Sequence, residues 1–207
     1  MLGAIIGDIG GSRFEWHNNK SKDFDFLTYR CRPTDDSIMS LAIAKAILNC
    51  KGDYANLSAQ AITTMQSVGR PYPNCGYGGS FYNWMYSSSP KPYGSYGNGA
   101  AMRVSACGFS ARSLEEAIAL SKAVTEVTHN HPEGAKGAVV TAMCIFMARQ
   151  GKTKQDIYNY VYRFYNDEEK YYPSNNPLEN LIEYDISMET EKELERLDYR
   201  MTFQLKS

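Results

Sequence analysis

Several short stretches of this chain concentrate side chains that can do chemistry. Thr34-Asp35-Asp36-Ser37 offers consecutive hard oxygen donors, which suit Mg²⁺ or Ca²⁺ rather than Zn²⁺. Adjacent carboxylates repel one another unless a cation or the positive end of a helix lies between them. The alternative is an ordinary helix start, with Thr34 as N-cap and two acids in the first turn. Residues 3–15, GAIIGDIGGSRFE, place glycines after an apolar run, as in loops that let a backbone approach a phosphate. Their spacing is neither G-x-G-x-x-G nor a P-loop, which favours a Gly-rich helix packed tightly in the core. Glu15 is the stretch's other candidate for acid–base work.

Two further stretches bear on ligand binding. In residues 93–103, YGSYGNGAAMR, Gly97 and Gly99 bracket Asn98 ahead of an expected helix. Successive backbone N–H groups there can form an anion nest, and Tyr96 can stack on a base or sugar; a Gly-rich turn explains the same residues. Residues 127–134, VTHNHPEG, hold two of the three histidines at a helix entry. A His-x-His pair can bind metal but has no third soft ligand nearby. Hydrogen bonding to a polar ligand suits His129 and His131 better. The simpler alternative is that His129 and Asn130 satisfy backbone groups at the helix start.

The elements that must carry these groups read as helical. Residues 35–50 are too long for an ordinary strand and apolar around most of a helical circumference. Residues 132–149 begin with Pro and end with Arg, a helix start and stop. Gly134, Gly137 and Ala138 leave one face of that helix small enough to approach another backbone. Ser113 and Glu116 have capping-box spacing at the head of a helix over 113–127. Residues 54–68 and 153–165 are weaker candidates. The Gly/Pro-rich stretch 69–99 reads as a long ordered binding loop, with a short helix over 79–86. No alternating strand pattern and no internal repeat occurs, so the expected fold is all-α. Residues 179–200 read as a solvated charged helix with Glu/Lys and Glu/Arg pairs three apart.

Composition narrows the classes. The 207 residues carry 22 Lys+Arg against 23 Asp+Glu, a formal charge of −1, which argues against an electrostatically driven nucleic-acid binder. No apolar run approaches the ~20 residues that span a bilayer. The opening Met1–Ile6 lacks a basic flank and soon meets Asp8, unlike a signal peptide. The five cysteines are odd in number and widely spaced with no C-x-x-C, as expected of free thiols in a reducing cytosol.

Together and in order, GDIGGSRFE (7–15), TDDS (34–37), SYGNGAAMR (95–103) and THNHPEG (128–134) resemble the ADP-ribosylglycohydrolase family, the group related to dinitrogenase-reductase-activating glycohydrolase and the ADP-ribosyl-acceptor hydrolases. The resemblance implies a compact all-α fold with a binuclear magnesium centre. Thr34, Asp35 and Asp36 match the first half of that metal site, and Glu15 matches a glutamate near the scissile bond. Ser95, Tyr96, Gly97, Asn98 and Gly99 match the loop that holds the pyrophosphate and ribose. His129 matches a histidine that contacts ADP-ribose. The implied catalytic set is Glu15, Asp35 and Asp36, acting on ADP-ribose or an ADP-ribosylated protein. The reaction is hydrolysis of the glycosidic bond at the distal ribose through an oxocarbenium-like transition state.

The sequence departs from the family's pattern beyond residue 150, where the family supplies an Asp-x-Asp-Ser/Thr half-site. Asp156, Asp167, Asp185 and Asp198 stand isolated, and Pro33 before the metal triplet is atypical. The expectation is therefore a single domain over 1–207 of a C-terminally shortened family member, its motifs within 3–150 and a charged helical tail over 179–207. It would hold one Mg²⁺, or a weakened site, and act as a cytoplasmic monomer with no membrane or nucleic-acid surface. The alternative is a degenerate module that binds ADP-ribose without turnover.

Overall fold

A computed structural model describes residues 1–17 and 19–166. Among the described residues there are eight α-helices and no strand, so the all-α expectation holds. They are α1 (Leu2–Gly11), α2 (Asp35–Asn49), α3 (Leu57–Gly69), α4 (Gly79–Tyr86), α5 (Ser105–Ser110), α6 (Leu114–Thr125), α7 (Pro132–Arg149) and α8 (Lys154–Asn166). Short 3₁₀ turns follow α1 at Ser12–Phe14 and precede α5 at Ala101–Arg103. The charged stretch at 179–207, with Asp167, Asp185 and Asp198, lies outside the described residues.

Helix α2 is the centre of the core. Its Met39, Ala42, Ile43 and Ala46 are fully buried, because apolar residues cover it almost all round and it needs neighbours on several sides. It packs along α3, where Ala61 and Met65 are buried, and against α5. Helix α7 packs on α5 and α6, burying Ala138, Val139, Ala142 and Met143. Ser40 Oγ donates to the Met102 carbonyl at 3.1 Å and ties the centre of α2 to the 3₁₀ turn that leaves the glycine loop. No helix among the described residues is long and apolar enough to cross a membrane.

The caps follow their sequence signals with informative exceptions. Ser113 Oγ accepts from the Glu116 N–H at 3.1 Å, but the Glu116 carboxylate reaches back to the Arg112 N–H at 2.7 Å, closing the box one residue early. Helix α7 is capped by His131, whose Nδ1 accepts from the Glu133 N–H at 3.2 Å. Thr153 caps α8, its Oγ1 accepting from the Asp156 N–H at 3.1 Å, while the Asp156 carboxylate reaches back to the Thr153 amide at 3.0 Å. The N-terminal Gly-rich stretch is a helix, as its spacing favours, but not one packed in the core. Leu2 is 72% and Ile6 41% exposed, while the buried positions are Asp8 and Gly10. Its polar residue faces inward because that residue has partners in α2.

Candidate active site

A cleft of about 1090 Å³ opens where α1, the head of α2, the segment after Cys75, the 93–99 loop and the α6–α7 junction meet. Glu15, Thr34, Asp35, Asp36, Ser95, Tyr96, Gly97, Asn98, Gly99 and His129 all line it. Side chains far apart in sequence are thus brought to one wall-to-wall space.

The acidic end is built on Asp8. Its buried carboxylate accepts from the Thr34 amide at 2.9 Å and the Ser37 amide at 3.2 Å, and from both hydroxyls of those residues. One carboxylate thereby satisfies orphan donors at the start of α2 and sits at the positive end of its dipole. Thr34 is also the N-cap, as its position predicts, with Oγ1 accepting from the Asp36 N–H at 3.3 Å. Asp35 is held by its own amide, which donates to the Cys75 carbonyl at 2.7 Å. That contact turns the chain so that Gly76, at φ +96°, lies against both acids: a Cβ there would stand 3.3 Å from Asp35 Oδ1 and 3.6 Å from Glu15 Oε1. The positive φ and the close approach both select glycine.

This crowding shows in the acidities. Burial, then the charges of Glu15 and Asp8, pushes Asp35 up to about 6. Burial, then the charges of Asp35, Asp8 and Glu15, pushes Asp36 up to about 7. Glu15 is raised by burial and by Asp8, against the opposing charge of Arg32. Among the described residues, none of these acids has a Lys, Arg or His partner within ion-pair distance. The arrangement stores repulsion that a bound cation or a shared proton relieves, a pattern typical of functional sites. Among the described residues, no group of three or more His, Cys, Asp or Glu is arranged to hold a metal ion. The donors present are two carboxylates and a hydroxyl, an incomplete set that fits an ion keeping several waters.

The opposite wall is the 93–99 loop. Asn130 Oδ1 accepts from the Gly94 N–H at 2.7 Å, and the Tyr93 N–H donates to the Thr128 carbonyl at 3.1 Å. Asn130 therefore fixes the loop instead of capping α7. Of the small residues on α7, Gly134 makes the close backbone approach, since a Cβ there would fall 2.6 Å from the Ser95 carbonyl oxygen. Gly137 faces open space. The helix expected right after Gly99 begins only at Ser105, beyond the 3₁₀ turn. His129 is buried, its Nδ1 2.7 Å from Thr128 Oγ1, and burial with the Arg103 charge lowers it to about 4. It does not cap α7, and its lowered value leaves the ring uncharged at neutral pH.

Sequence reasoning did not single out Asp8, although an acid inside a Gly-rich apolar helix is itself a signal. It also missed Phe81, which lines the cleft together with the expected Tyr93, and Arg103, whose role appears only in its contacts.

A profile of the ADP-ribosylglycohydrolase family matches residues 1–203. The chain belongs to the ADP-ribosylglycohydrolase family. Its curated relatives include ADP-ribosylhydrolase ARH3 of Xenopus tropicalis, 29% identical over a 182-residue alignment that covers 73% of this chain and 50% of that protein. The human ARH3 is 24% identical over a 194-residue alignment that covers 75% of this chain and 50% of that protein. The Gallus gallus ARH3 is 25% identical over 195 residues, 76% and 51% respectively. The chain spans about half the length of these ADP-ribosylglycohydrolase relatives.

Proposed function

We propose that this chain acts in hydrolysis of the glycosidic bond between ADP-ribose and an acceptor, a protein side chain or a small molecule, with assistance from Mg²⁺. The observation that carries this reading is the convergence of the acids at the head of α2, the 93–99 loop and His129 on one cleft, in a chain of this family. Thr34, Asp35 and Asp36 are the residues that would hold Mg²⁺, whose chemistry there is to orient ribose hydroxyls and polarise a water. Hard, partly desolvated oxygens that repel one another fit such an ion. Glu15, beside Asp35 across Gly76, serves as the general acid or base near the reacting carbon. Ser95 to Gly99 hold the pyrophosphate and ribose, and His129 bonds the ligand from the loop's far side.

The test is release of ADP-ribose from an ADP-ribosylated serine or arginine peptide in Mg²⁺. Asp35→Ala with Asp36→Ala is expected to cut the rate at least about a hundredfold. Equal release by the two proteins would end the enzymatic reading. Mg²⁺ is also expected to raise the thermal midpoint of the unaltered protein and to leave an Asp35→Asn, Asp36→Asn variant unmoved; differential scanning fluorimetry reads this.

A second reading, an ADP-ribose-binding module without turnover, is favoured by the incomplete donor set among the described residues. Calorimetry with free ADP-ribose separates them: binding heat without release from the peptide supports the module. Both readings expect Gly134→Ala to displace the 93–99 loop, because its Cβ would meet backbone at 2.6 and 3.1 Å. ADP-ribose affinity should then fall about tenfold, the overpacking outweighing the helix propensity gained. Unchanged affinity would show that this loop does not hold the ligand.

A further inference from the structure

Arg103 is fully buried, and among the described residues it has no carboxylate partner. Its Nη2 donates to the Val124 carbonyl at 3.0 Å and to Thr128 Oγ1 at 2.7 Å. Its guanidinium lies 5.8 Å from the centre of the Phe81 ring. A buried charge placed this way costs desolvation free energy that no ion pair offsets, so its effect on neighbours is the thing to explain.

Thr128 joins that charge to His129. Its hydroxyl oxygen takes the Arg103 hydrogen bond and leaves one proton to donate. Two acceptors lie within reach, His129 Nδ1 at 2.7 Å and the Thr125 carbonyl at 3.3 Å. The Thr125 carbonyl already receives the amides of Thr128 at 3.0 Å and His129 at 2.9 Å, which fill its two lone pairs. The hydroxyl proton therefore goes to Nδ1. An imidazole that accepts at Nδ1 and stays neutral carries its proton on Nε2. Burial, with the Arg103 charge adding to it, keeps the ring neutral, and Tyr93, with its ring centre 5.9 Å away, flanks it from the loop. Nε2 faces Gly99, where a Cβ would stand only 3.4 Å off, so glycine leaves this nitrogen open to the cleft.

We propose that Arg103 and Thr128 are positioning residues that lock His129 in the Nε2–H form, so that it presents a hydrogen-bond donor to an oxygen of the bound ligand. This rests on the reading of the cleft as an ADP-ribose site only for the ligand's identity. The tautomer is a property of the free protein. A donor fixed before binding recognises a ribose or phosphate oxygen without a protonation step.

Long-range ¹H–¹⁵N spectra of the full chain decide it, with the His129 signals assigned by their loss in His129→Gln. Free protein should show protonated Nε2 and bare Nδ1; a protonated Nδ1 overturns the proposal. Thr128→Val keeps the shape but removes the hydroxyl, and is expected to mix the tautomers and weaken ADP-ribose binding about tenfold. Thr128→Ser should restore both. Retention of the single Nε2–H form in Thr128→Val also overturns it, as does calorimetric binding of ADP-ribose that leaves the Nε2 resonance unmoved. Should ADP-ribose not bind at all, the functional reading fails by calorimetry while the spectra still decide the tautomer.

Discussion

Asp8→Ala is expected to destabilise the protein by about 4 kcal/mol, read as a drop in the urea midpoint at unchanged slope. The Asp8 carboxylate takes the amides and hydroxyls of both Thr34 and Ser37, which are 5% and 2% exposed. Alanine offers these buried donors no acceptor in its place. The hydroxyls can turn to other acceptors, but the amides cannot. Each buried N–H left unpaired costs about 1–3 kcal/mol, and the head of α2 loses its compensating charge. Asp8→Asn should recover less than half of the loss, because its amide nitrogen turns a donor toward donors. The same substitutions should weaken any Mg²⁺ effect on the thermal midpoint, since Asp35 and Asp36 ride on the turn that Asp8 holds. A loss below about 1 kcal/mol for Asp8→Ala would mean that the network is not what fixes α2.

His129 should make stability fall on acidification. Its folded-state value lies near 4 against an ordinary 6.5, lowered by burial and by the Arg103 charge. The unfolded chain therefore binds the proton first as pH drops. The neutral form's contribution is intact above about pH 6.5, is lost progressively below it, and is gone once pH has fallen through about 4. The shift corresponds to about 3 kcal/mol. Asp35 and Asp36 act in the opposite sense: their raised values favour the folded state when protonated and lose that contribution as pH rises through about 6 and 7. Comparing urea stability of the unaltered protein with His129→Gln from pH 4 to 7 isolates the histidine. The difference between the two should shrink or reverse toward pH 4. Parallel curves would show that His129 is not held neutral by its surroundings.

Much of the helical frame was legible from the chain because its signals are local. Pro132 and Arg149 bound α7 as the pattern indicates, Thr34 caps α2, and the aromatic stretch 79–86 is α4. These depend on residues within a turn or two of one another. The same local reading misjudged α1. Apolar composition says buried, yet Leu2 and Ile6 point outward and the lone acid points in, since burial follows partners rather than composition. The simpler alternative, in which His129 and Asn130 satisfy the start of α7, fails because His131 caps that helix and Asn130 tethers the loop.

The residue types in order determined by themselves the family resemblance, the hard-oxygen character of the 34–36 triplet and the all-α frame. Tertiary structure alone decided that Asp8 reaches Thr34 across 26 positions and that Arg103 reaches Thr128 across 25. It likewise decided that Gly76 brings Glu15 beside Asp35. The reason is the range of the physics. Helix propensity and capping act over a few residues and leave a trace in spacing. Desolvation, charge crowding and the direction of a shared proton depend on what the fold places within a few ångströms, and no local period encodes that.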